Sequence, residues 1–261
     1  MIEPYYKDDW VTIYHGDCLE IMPELPPESI DLTVTSPPYN ANKEYEEDLS
    51  PADYFSLLLS VTANSYKISS EGARFIINLP WAFGSRPKHI VPIKYGYEIE
   101  KYSTGWKLME FIDWVKSTEE LKSPHTTHLT AWGTYLSPSG PRIRSCSEPI
   151  LVLSKDGKPG RGKAILGDIT KAEWFKYTLN IWTFLGETSK YHPTPFPIEL
   201  PIRCILLYTW KNDTVLDPFC GFGTTLLAAK KLGRQAIGIE IEERFCELSA
   251  KRCSQEVLDF S

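Results

Sequence analysis

The chain has 261 residues, of which 42% are hydrophobic and 24% charged, a composition ordinary for a soluble globular protein and sufficient for one large domain. No apolar run approaches the roughly 20 residues that cross a bilayer, and no basic stretch precedes an apolar one at the N-terminus, so neither a membrane span nor a secretory signal is expected. The net charge of −6 argues against a uniformly basic surface, and the six scattered cysteines predict reduced thiols in a cytoplasmic protein.

Two predicted strands in the first forty residues each end at a polar segment. Residues 11–14 lead to His-Gly-Asp-Cys at 15–18, and residues 30–34 lead directly to Thr-Ser-Pro-Pro-Tyr at 35–39. Consecutive prolines cannot donate to a sheet ladder, so the second strand must end there. The backbone that follows is held extended, with carbonyls that can face a cleft.

The middle of the chain is expected to add one helix and three strands. The helix should begin at Ser50, because Pro51 suits the first helical position and Asp53 stands three residues after the cap. The polar, glycine-rich stretch at 155–162 is typical of a surface loop. The three strands are expected at residues 73–78, 108–115 and 149–153.

The charge is distributed unevenly, so the negative total does not exclude a local binding site for phosphates. Residues 1–60 hold 2 basic residues against 13 acidic ones, whereas residues 140–165 hold 6 basic residues against 2 acidic ones. A local basic segment can bind phosphates even on an acidic chain, although a solvated loop explains the same pattern. The candidate phosphate-binding residues are Arg142, Arg144, Lys155, Lys158, Arg161 and Lys163.

Strands and helices alternate in the last quarter of the chain. A glycine-rich turn, Asp-Pro-Phe-Cys-Gly-Phe-Gly-Thr-Thr at 217–225, joins a strand to a helix, so a ligand can approach the backbone and the N–H groups of the helix N-terminus. Glu240 ends the next strand, where a carboxylate can hold two ribose hydroxyls, although a helix-start acid also fits that position. The predicted elements are helix 199–208, strand 214–216, helix 225–232, strand 235–239 and helix 242–252.

Residues 217–225 together with Glu240 resemble the S-adenosylmethionine-binding segment of the permuted, β-group DNA amino-methyltransferases. The resemblance implies that Phe219 and the glycines line the cofactor pocket, that Glu240 holds the ribose and that Asp17 accepts from the adenine amino group. Thr224 and Thr225 would face the methionine carboxylate, and Phe222 replaces the more usual serine of the turn. The implied cofactor-binding residues are Asp17, Cys18, Thr35, His192, Thr194, Asp217, Pro218, Phe219, Gly221, Gly223, Thr224, Thr225 and Glu240.

The Ser-Pro-Pro-Tyr segment is similar to the catalytic motif of the same family. An exocyclic amino group is a weak nucleophile, because its lone pair is delocalised into the base. Ser36 Oγ and the Pro37 carbonyl would accept its N–H bonds and localise that lone pair, Pro38 would help to hold the turn, and Tyr39 would stack on a flipped-out base. The implied catalytic residues are therefore Ser36, Pro37, Pro38 and Tyr39.

The resemblance favours cytosine N4 over adenine N6, because Ser-Pro-Pro-Tyr is typical of the cytosine members and Asp-Pro-Pro-Tyr of the adenine members. A cytosine-C5 enzyme is disfavoured, because it needs a cysteine after a proline and no cysteine here follows one. Enzymes that methylate RNA guanine or protein glutamine normally place the cofactor motif before the catalytic one. A dinucleotide oxidoreductase and a DNA-binding relic without turnover are weaker alternatives. No metal is expected, because His125 and His128 have no third ligand close by in the sequence.

The fold that the resemblance implies is a doubly wound, mostly parallel, seven-stranded Rossmann-like sheet, circularly permuted, with small DNA-recognition inserts. One domain would span residues 1–261, with a catalytic half at 1–116 and a cofactor half at 191–261. Target recognition is expected from residues 117–145 and 154–190. The implied partners are double-stranded DNA and a cognate restriction endonuclease, with the oligomeric state left open.

Overall fold

The computed structural model describes residues 2–39, 49–83, 89–102, 104–116, 138–139, 146–157, 167–186 and 197–255. In these ranges the chain forms a mixed α/β fold. The strands are β1 Tyr6–Lys7, β2 Val11–His15, β3 Ile30–Thr35, β4 Ser69–Asn78, β5 Ala82–Phe83, β6 His89–Ile90, β7 Lys107–Val115, β8 Ser147–Ser154, β9 Ile181–Thr183, β10 Thr214–Asp217 and β11 Gln235–Glu240. The helices are α1 Cys18–Ile21, α2 Pro51–Ile68, α3 Val91–Lys101, α4 Lys171–Tyr177, α5 Glu199–Tyr208, α6 Thr224–Lys231 and α7 Glu243–Gln255.

Nine of these strands form one sheet, in the order β1-β2-β11-β10-β3-β4-β8-β7-β9, and β5 pairs with β6 separately. Strands β2, β11, β10, β3 and β4 are parallel neighbours at the centre. Strand β8 runs antiparallel to both β4 and β7, and β1 runs antiparallel to β2. Strand β9 is parallel to β7 at the far edge. The sheet is therefore mixed, with β1 and β8 opposed to the rest.

The predicted strands and helices of the sequence are all present, but the expected count of seven strands is wrong. The sheet gains β1 and β9 at its two edges. These strands have two and three residues, too few for an alternating pattern to be read from the sequence. The helix expected at Ser50 begins there, because the Ser50 side chain accepts from the Asp53 N–H and Pro51 is the first helical residue.

Two apolar clusters cover the two faces of the sheet. Helices α5, α6 and α7 pack on one face through buried residues such as Cys204, Leu227 and Cys246. Helices α2 and α3 pack on the other through residues such as Leu58 and Tyr95. None of the helices in the described ranges is long and apolar enough to cross a membrane.

Part of the segment expected to recognise DNA belongs to the core. Trp182 on β9 is fully buried, and the Phe184 ring stacks on Trp114 with centroids 5.2 Å apart. The guanidinium of Arg203 on α5 lies 4.7 Å from the Phe184 centroid and 4.8 Å from that of Tyr177. Within the predicted target-recognition segment 154–190, residues 177–184 therefore pack against α5 and extend the main sheet.

Candidate functional site

Polar residues that the sequence marks as functional lie together at one edge of the sheet. The carboxyl ends of the central parallel strands β2, β11, β10, β3 and β4 meet there. Antiparallel β8 brings its N-terminal end to the same edge, because Asn78 at the end of β4 pairs opposite Ile150. In an open α/β sheet this is the edge where ligands bind.

The glycine-rich turn between β10 and α6 wraps around the Glu240 carboxylate. Glu240 Oε2 accepts the Gly221 N–H at 2.8 Å, and Oε1 accepts the Glu242 N–H at 2.9 Å. Gly221 and Gly223 have φ values of 46° and 76°, a left-handed backbone that glycine adopts without a Cβ clash. Burial raises the pKa of Glu240, while the backbone N–H groups act in the opposite direction. The carboxylate is therefore held in one orientation at the end of β11.

Asp217 joins the end of strand β3 to the glycine-rich turn between β10 and α6. Its side chain is fully buried, with Oδ1 accepting from the Thr35 hydroxyl and Oδ2 from the Thr225 hydroxyl, each at 2.8 Å. The Phe219 N–H donates to Oδ1 at 3.2 Å. Burial raises the pKa of Asp217 to about 6, even though these donors favour the charged form. The end of β3 and the start of the turn are thereby fixed to each other.

A cavity of about 470 Å³ lies between the turn and helix α2. This volume is in the range of about 300–1,000 Å³ that small-molecule sites occupy. Three acidic residues, Asp17, Asp53 and Glu240, line it together with apolar groups. Asp17 also caps α1 by accepting the Leu19 N–H at 2.8 Å. The lining includes the predicted residues Asp17, Cys18, Pro38, Pro218, Phe219 and Glu240.

The threonines at the start of α6 bind protein groups. The Thr225 hydroxyl donates to Asp217, and the Thr224 hydroxyl accepts from Arg252 Nη1 at 2.9 Å. The Arg252 guanidinium lies over the Phe222 ring, 4.5 Å from its centroid, so this phenylalanine packs on α7 where the family more often has serine. The cavity lining includes neither threonine side chain.

The Ser-Pro-Pro-Tyr segment leaves β3 beside this cavity, with Pro38 in its wall. The Ser36 hydroxyl donates to the Tyr39 hydroxyl at 3.4 Å, and the Tyr39 hydroxyl donates to Glu148 Oε2 at 2.9 Å. Asn78 Nδ2 donates to Glu148 Oε2 at 3.0 Å and also contacts the Tyr39 hydroxyl. Burial and the Glu148 carboxylate raise the pKa of Tyr39 well above its ordinary value, so this phenol stays neutral.

Asn78, Lys116 and Glu148 are polar residues of this edge that the sequence reasoning did not place in the site. Lys116 Nζ forms an ion pair with Glu148 Oε1, and it lies 4.8 Å from the Trp114 ring centroid. Asn78 ends β4, Lys116 follows β7, and Glu148 is near the start of β8. Polar residues at strand ends were the available signal. Using this signal for Glu148 requires knowing that β8 runs antiparallel, and the sequence does not show the direction of a strand.

Lys155, a candidate phosphate-binding residue, contacts groups of the protein itself. Its ammonium donates to the carbonyls of Tyr66 at 2.9 Å and Ser69 at 2.7 Å, and it lies 4.4 Å from the Tyr66 ring centroid. It follows the C-terminal end of β8, at the sheet edge opposite the cavity. Its charge therefore stabilises the end of α2. The other candidates lie outside the described residues: Arg142, Arg144, Lys158, Arg161, Lys163, His192 and Thr194.

Within the ranges that the structure describes, no three His, Cys, Asp or Glu side chains are grouped so as to hold a metal ion. Cys220 packs in the core: a Cβ at Gly238 would lie only 2.9 Å from its Sγ. Burial and two carboxylates raise the pKa of its thiol well above the ordinary value, so this cysteine is an unreactive packing residue.

Comparison with known proteins agrees with this geometry. The N6/N4 family model described as DNA methylase matches residues 30–251. The Type II methyltransferase M.ScaI of Streptomyces caespitosus is 30% identical over 97% of this chain and 84% of that protein. The Type II methyltransferase M.BglII of Bacillus subtilis is 28% identical over 94% of this chain and 69% of that protein.

Two solved structures share the fold. A Thermus thermophilus protein described as a DNA modification methylase, in complex with S-adenosyl-L-methionine, has 28% identity and a TM-score of 0.74, covering 95% of each chain. The cytosine-N4-specific PvuII DNA methyltransferase has 23% identity and a TM-score of 0.75, covering 96% of this chain and 89% of that one. The carboxylates and aromatic wall of the cavity fit S-adenosyl-L-methionine, which is the cofactor. The chain therefore belongs to the N6/N4 DNA methylase family.

Proposed function

We propose that this DNA methyltransferase transfers a methyl group from S-adenosyl-L-methionine to the N4 amino group of a cytosine flipped out of double-stranded DNA. The observation that carries the proposal is Ser36 at the end of β3, next to the wall of the cofactor cavity. A residue at that position meets the target amino group, and here it is a neutral hydroxyl where the adenine-type motif has a carboxylate.

The cofactor-binding residues act by holding the methyl donor in place. The Glu240 carboxylate, fixed by two backbone N–H groups, would accept from the ribose hydroxyls, and Asp17 would accept from the adenine amino group. Phe219 and Pro38 supply the apolar walls between them. The bound cofactor supplies an activated methyl group on a sulfonium. Alignment of that group with the base is the main catalytic contribution of these residues.

The catalytic residues act on the amino group of the base. Ser36 Oγ and the Pro37 carbonyl would accept its two N–H bonds, so that the nitrogen lone pair is localised toward the methyl group. The Tyr39 ring would stack on the base, which must leave the duplex to enter the site. The acceptors stand on a turn that begins directly at a buried strand, so they are fixed before the base arrives.

The order of the motifs along the chain supports DNA as the substrate. Strand β3 with the catalytic motif comes first and strand β10 with the cofactor turn comes last, and yet the two are parallel neighbours in the sheet. This is the arrangement expected of a circularly permuted amino-methyltransferase. The Type II names of the relatives support a cognate restriction endonuclease as a partner for this chain.

Nucleoside mass spectrometry of DNA from a host that expresses the protein tests the choice of base. N4-methylcytosine should appear in the expressing host and be absent from the same host with an empty vector. N6-methyladenine without N4-methylcytosine would overturn the cytosine assignment while leaving the DNA methyltransferase activity in place.

The variant Ser36→Ala tests the assignment of roles. We expect it to lose transfer of labelled methyl groups to duplex DNA and to bind S-adenosyl-L-methionine as the wild type does, because Ser36 does not line the cavity. If the variant loses cofactor binding as well, the division between catalytic and cofactor residues is wrong.

A further inference from the structure

Four side chains form a polar cluster beside the Ser-Pro-Pro-Tyr turn, which we name the Tyr39 cluster: Tyr39, Asn78, Lys116 and Glu148. Glu148 is central, because one carboxylate oxygen accepts from Tyr39 and Asn78 and the other pairs with Lys116. The Glu148 and Lys116 side chains are 17% and 27% exposed, so both charges are shielded from solvent. The cluster lies at the ends of β4 and β7 and at the start of β8, next to the turn that leaves β3.

The contacts fix the direction of each hydrogen bond. An ionised carboxylate can only accept, so the Tyr39 hydroxyl proton points to Glu148 Oε2 at 2.9 Å. The Asn78 amide must turn its nitrogen toward Glu148, because the reverse orientation would place its oxygen against the carboxylate. The Tyr39 oxygen therefore acts as an acceptor, and both the Asn78 amide and the Ser36 hydroxyl donate to it, the latter at 3.4 Å.

We propose that Glu148 is a positioning residue that acts on Ser36 through the Tyr39 hydroxyl. The relay runs from the Ser36 O–H to the Tyr39 oxygen and from the Tyr39 O–H to the Glu148 carboxylate. With its proton committed to Tyr39, Ser36 Oγ presents lone pairs to the target amino group. This inference rests on the proposed function, because it needs Ser36 to face the amino group.

Through the relay, the Glu148 carboxylate increases the partial negative charge on Ser36 Oγ, although the Ser-Pro-Pro-Tyr motif itself has no charged residue. A hydrogen bond to a carboxylate polarises the donor, and successive bonds in a shielded site strengthen one another. Ser36 therefore becomes a better acceptor than an isolated hydroxyl, without a charge beside the base. The 3.4 Å contact is long, as catalytic hydrogen bonds often are without substrate, and we expect it to shorten when the base binds.

A double-mutant cycle on the single-turnover rate of methyl transfer to duplex DNA tests the relay. Tyr39→Phe keeps the ring and removes the hydroxyl, and Glu148→Gln removes the charge. Each single variant should lower the rate by about 10-fold or more, on the scale of a lost catalytic hydrogen bond, with affinities for cofactor and DNA within about twofold of wild type. The double variant should be no slower than the slower single variant, because both changes break the same chain.

The chain offers a matched control far from the site. The Tyr208 hydroxyl donates to Glu110 Oε2 at 2.9 Å, the same kind of bond at the same length. Glu110→Gln should leave the rate unchanged. Lys116→Met should lower the rate less than Glu148→Gln does, because the Tyr39 hydroxyl still has the Glu148 carboxylate as its acceptor. If Glu148 acted only through its ion pair with Lys116, the two variants would lower the rate equally.

The outcomes separate this inference from the proposed function. If the wild type transfers no methyl to DNA, both are overturned. If the wild type is active and Glu148→Gln keeps its full rate, only the relay is overturned. Effects of Tyr39→Phe and Glu148→Gln that multiply in the double variant would also overturn it, because they would show that the two residues act independently.

Discussion

The Thr35 hydroxyl donates a 2.8 Å hydrogen bond to the Asp217 carboxylate, which joins the ends of β3 and β10 across 182 residues of chain. The same carboxylate accepts from Thr225 at the start of α6. One buried acid therefore holds the catalytic turn and the cofactor turn at a constant separation. Methyl transfer in line between cofactor and base requires that separation to be fixed.

Asp217→Asn should change how stability depends on pH. Burial raises the pKa of Asp217 to about 6 in the folded chain, so its contribution to stability is present below the unfolded value near 3.8 and is lost as pH rises through about 6. A shift of this size corresponds to roughly 3 kcal/mol. Urea unfolding of the variant should show a flatter pH dependence between pH 4 and 7. An unchanged slope would mean that Asp217 titrates normally.

Gly223→Ala should destabilise the cofactor turn by about 2–4 kcal/mol, because the residue combines backbone strain with a steric clash. Its φ is 76°, and an added Cβ would lie 2.2 Å from Ser249 Oγ. Gly233→Ala is the matched control: its φ is 70° and nothing lies within 4 Å, so only the backbone strain of about 1 kcal/mol remains. Chemical denaturation measures both. If both variants lost the same free energy of unfolding, the contact with Ser249 would not contribute to the destabilisation.

Glu240→Gln should weaken cofactor binding by about 10-fold or more, since the amide has one acceptor oxygen where the carboxylate has two. One of the N–H groups of Gly221 and Glu242 would then face an NH₂ group. Glu243→Gln, an exposed acid at the start of α7, is the control and should bind normally. Calorimetric titration with S-adenosyl-L-methionine measures both, and equal affinities would remove Glu240 from the site.

Replacing Arg161 and Lys163 with Ala should weaken binding to every DNA sequence. The slope of the logarithm of affinity against the logarithm of salt concentration should become shallower by up to about 2. Lys155→Ala is the matched control from the same basic segment. It should leave DNA binding unchanged and lower thermal stability, because its ammonium binds the carbonyls of Tyr66 and Ser69. Selective loss of one DNA sequence in the first variant would instead indicate that the segment reads bases.

The sequence predicts the strands and helices that carry strong local patterns. Strand β3 alternates apolar and polar residues, β11 has an apolar run at 236–239, and α2 has its cap and proline. Helix α3 was missed, because Pro92 and Gly96 are typical helix breakers in a sequence pattern. Tertiary packing of Val91 and Tyr95 stabilises it instead.

The sequence names candidate site residues where a motif holds them together, and it misses residues that the sheet brings together from distant parts of the chain. Asp17, Phe219 and Glu240 line one cavity, as their motifs imply. Glu148 reaches Tyr39 only because β8 turns back antiparallel beside β4. A net local charge in the sequence also does not show that two backbone carbonyls bind the Lys155 ammonium.

The order of strands has a consequence for biosynthesis. Strands β2 and β3 are translated early, but they find their parallel neighbours β11 and β10 only after residues 214–240 have been translated. The centre of the sheet therefore cannot close during most of elongation, and its early strand edges stay unpaired. Such pairings are slow to form, because they join segments far apart in the chain. A nascent chain stalled before β10 would be a substrate for chaperones and would have no methyl-donor site.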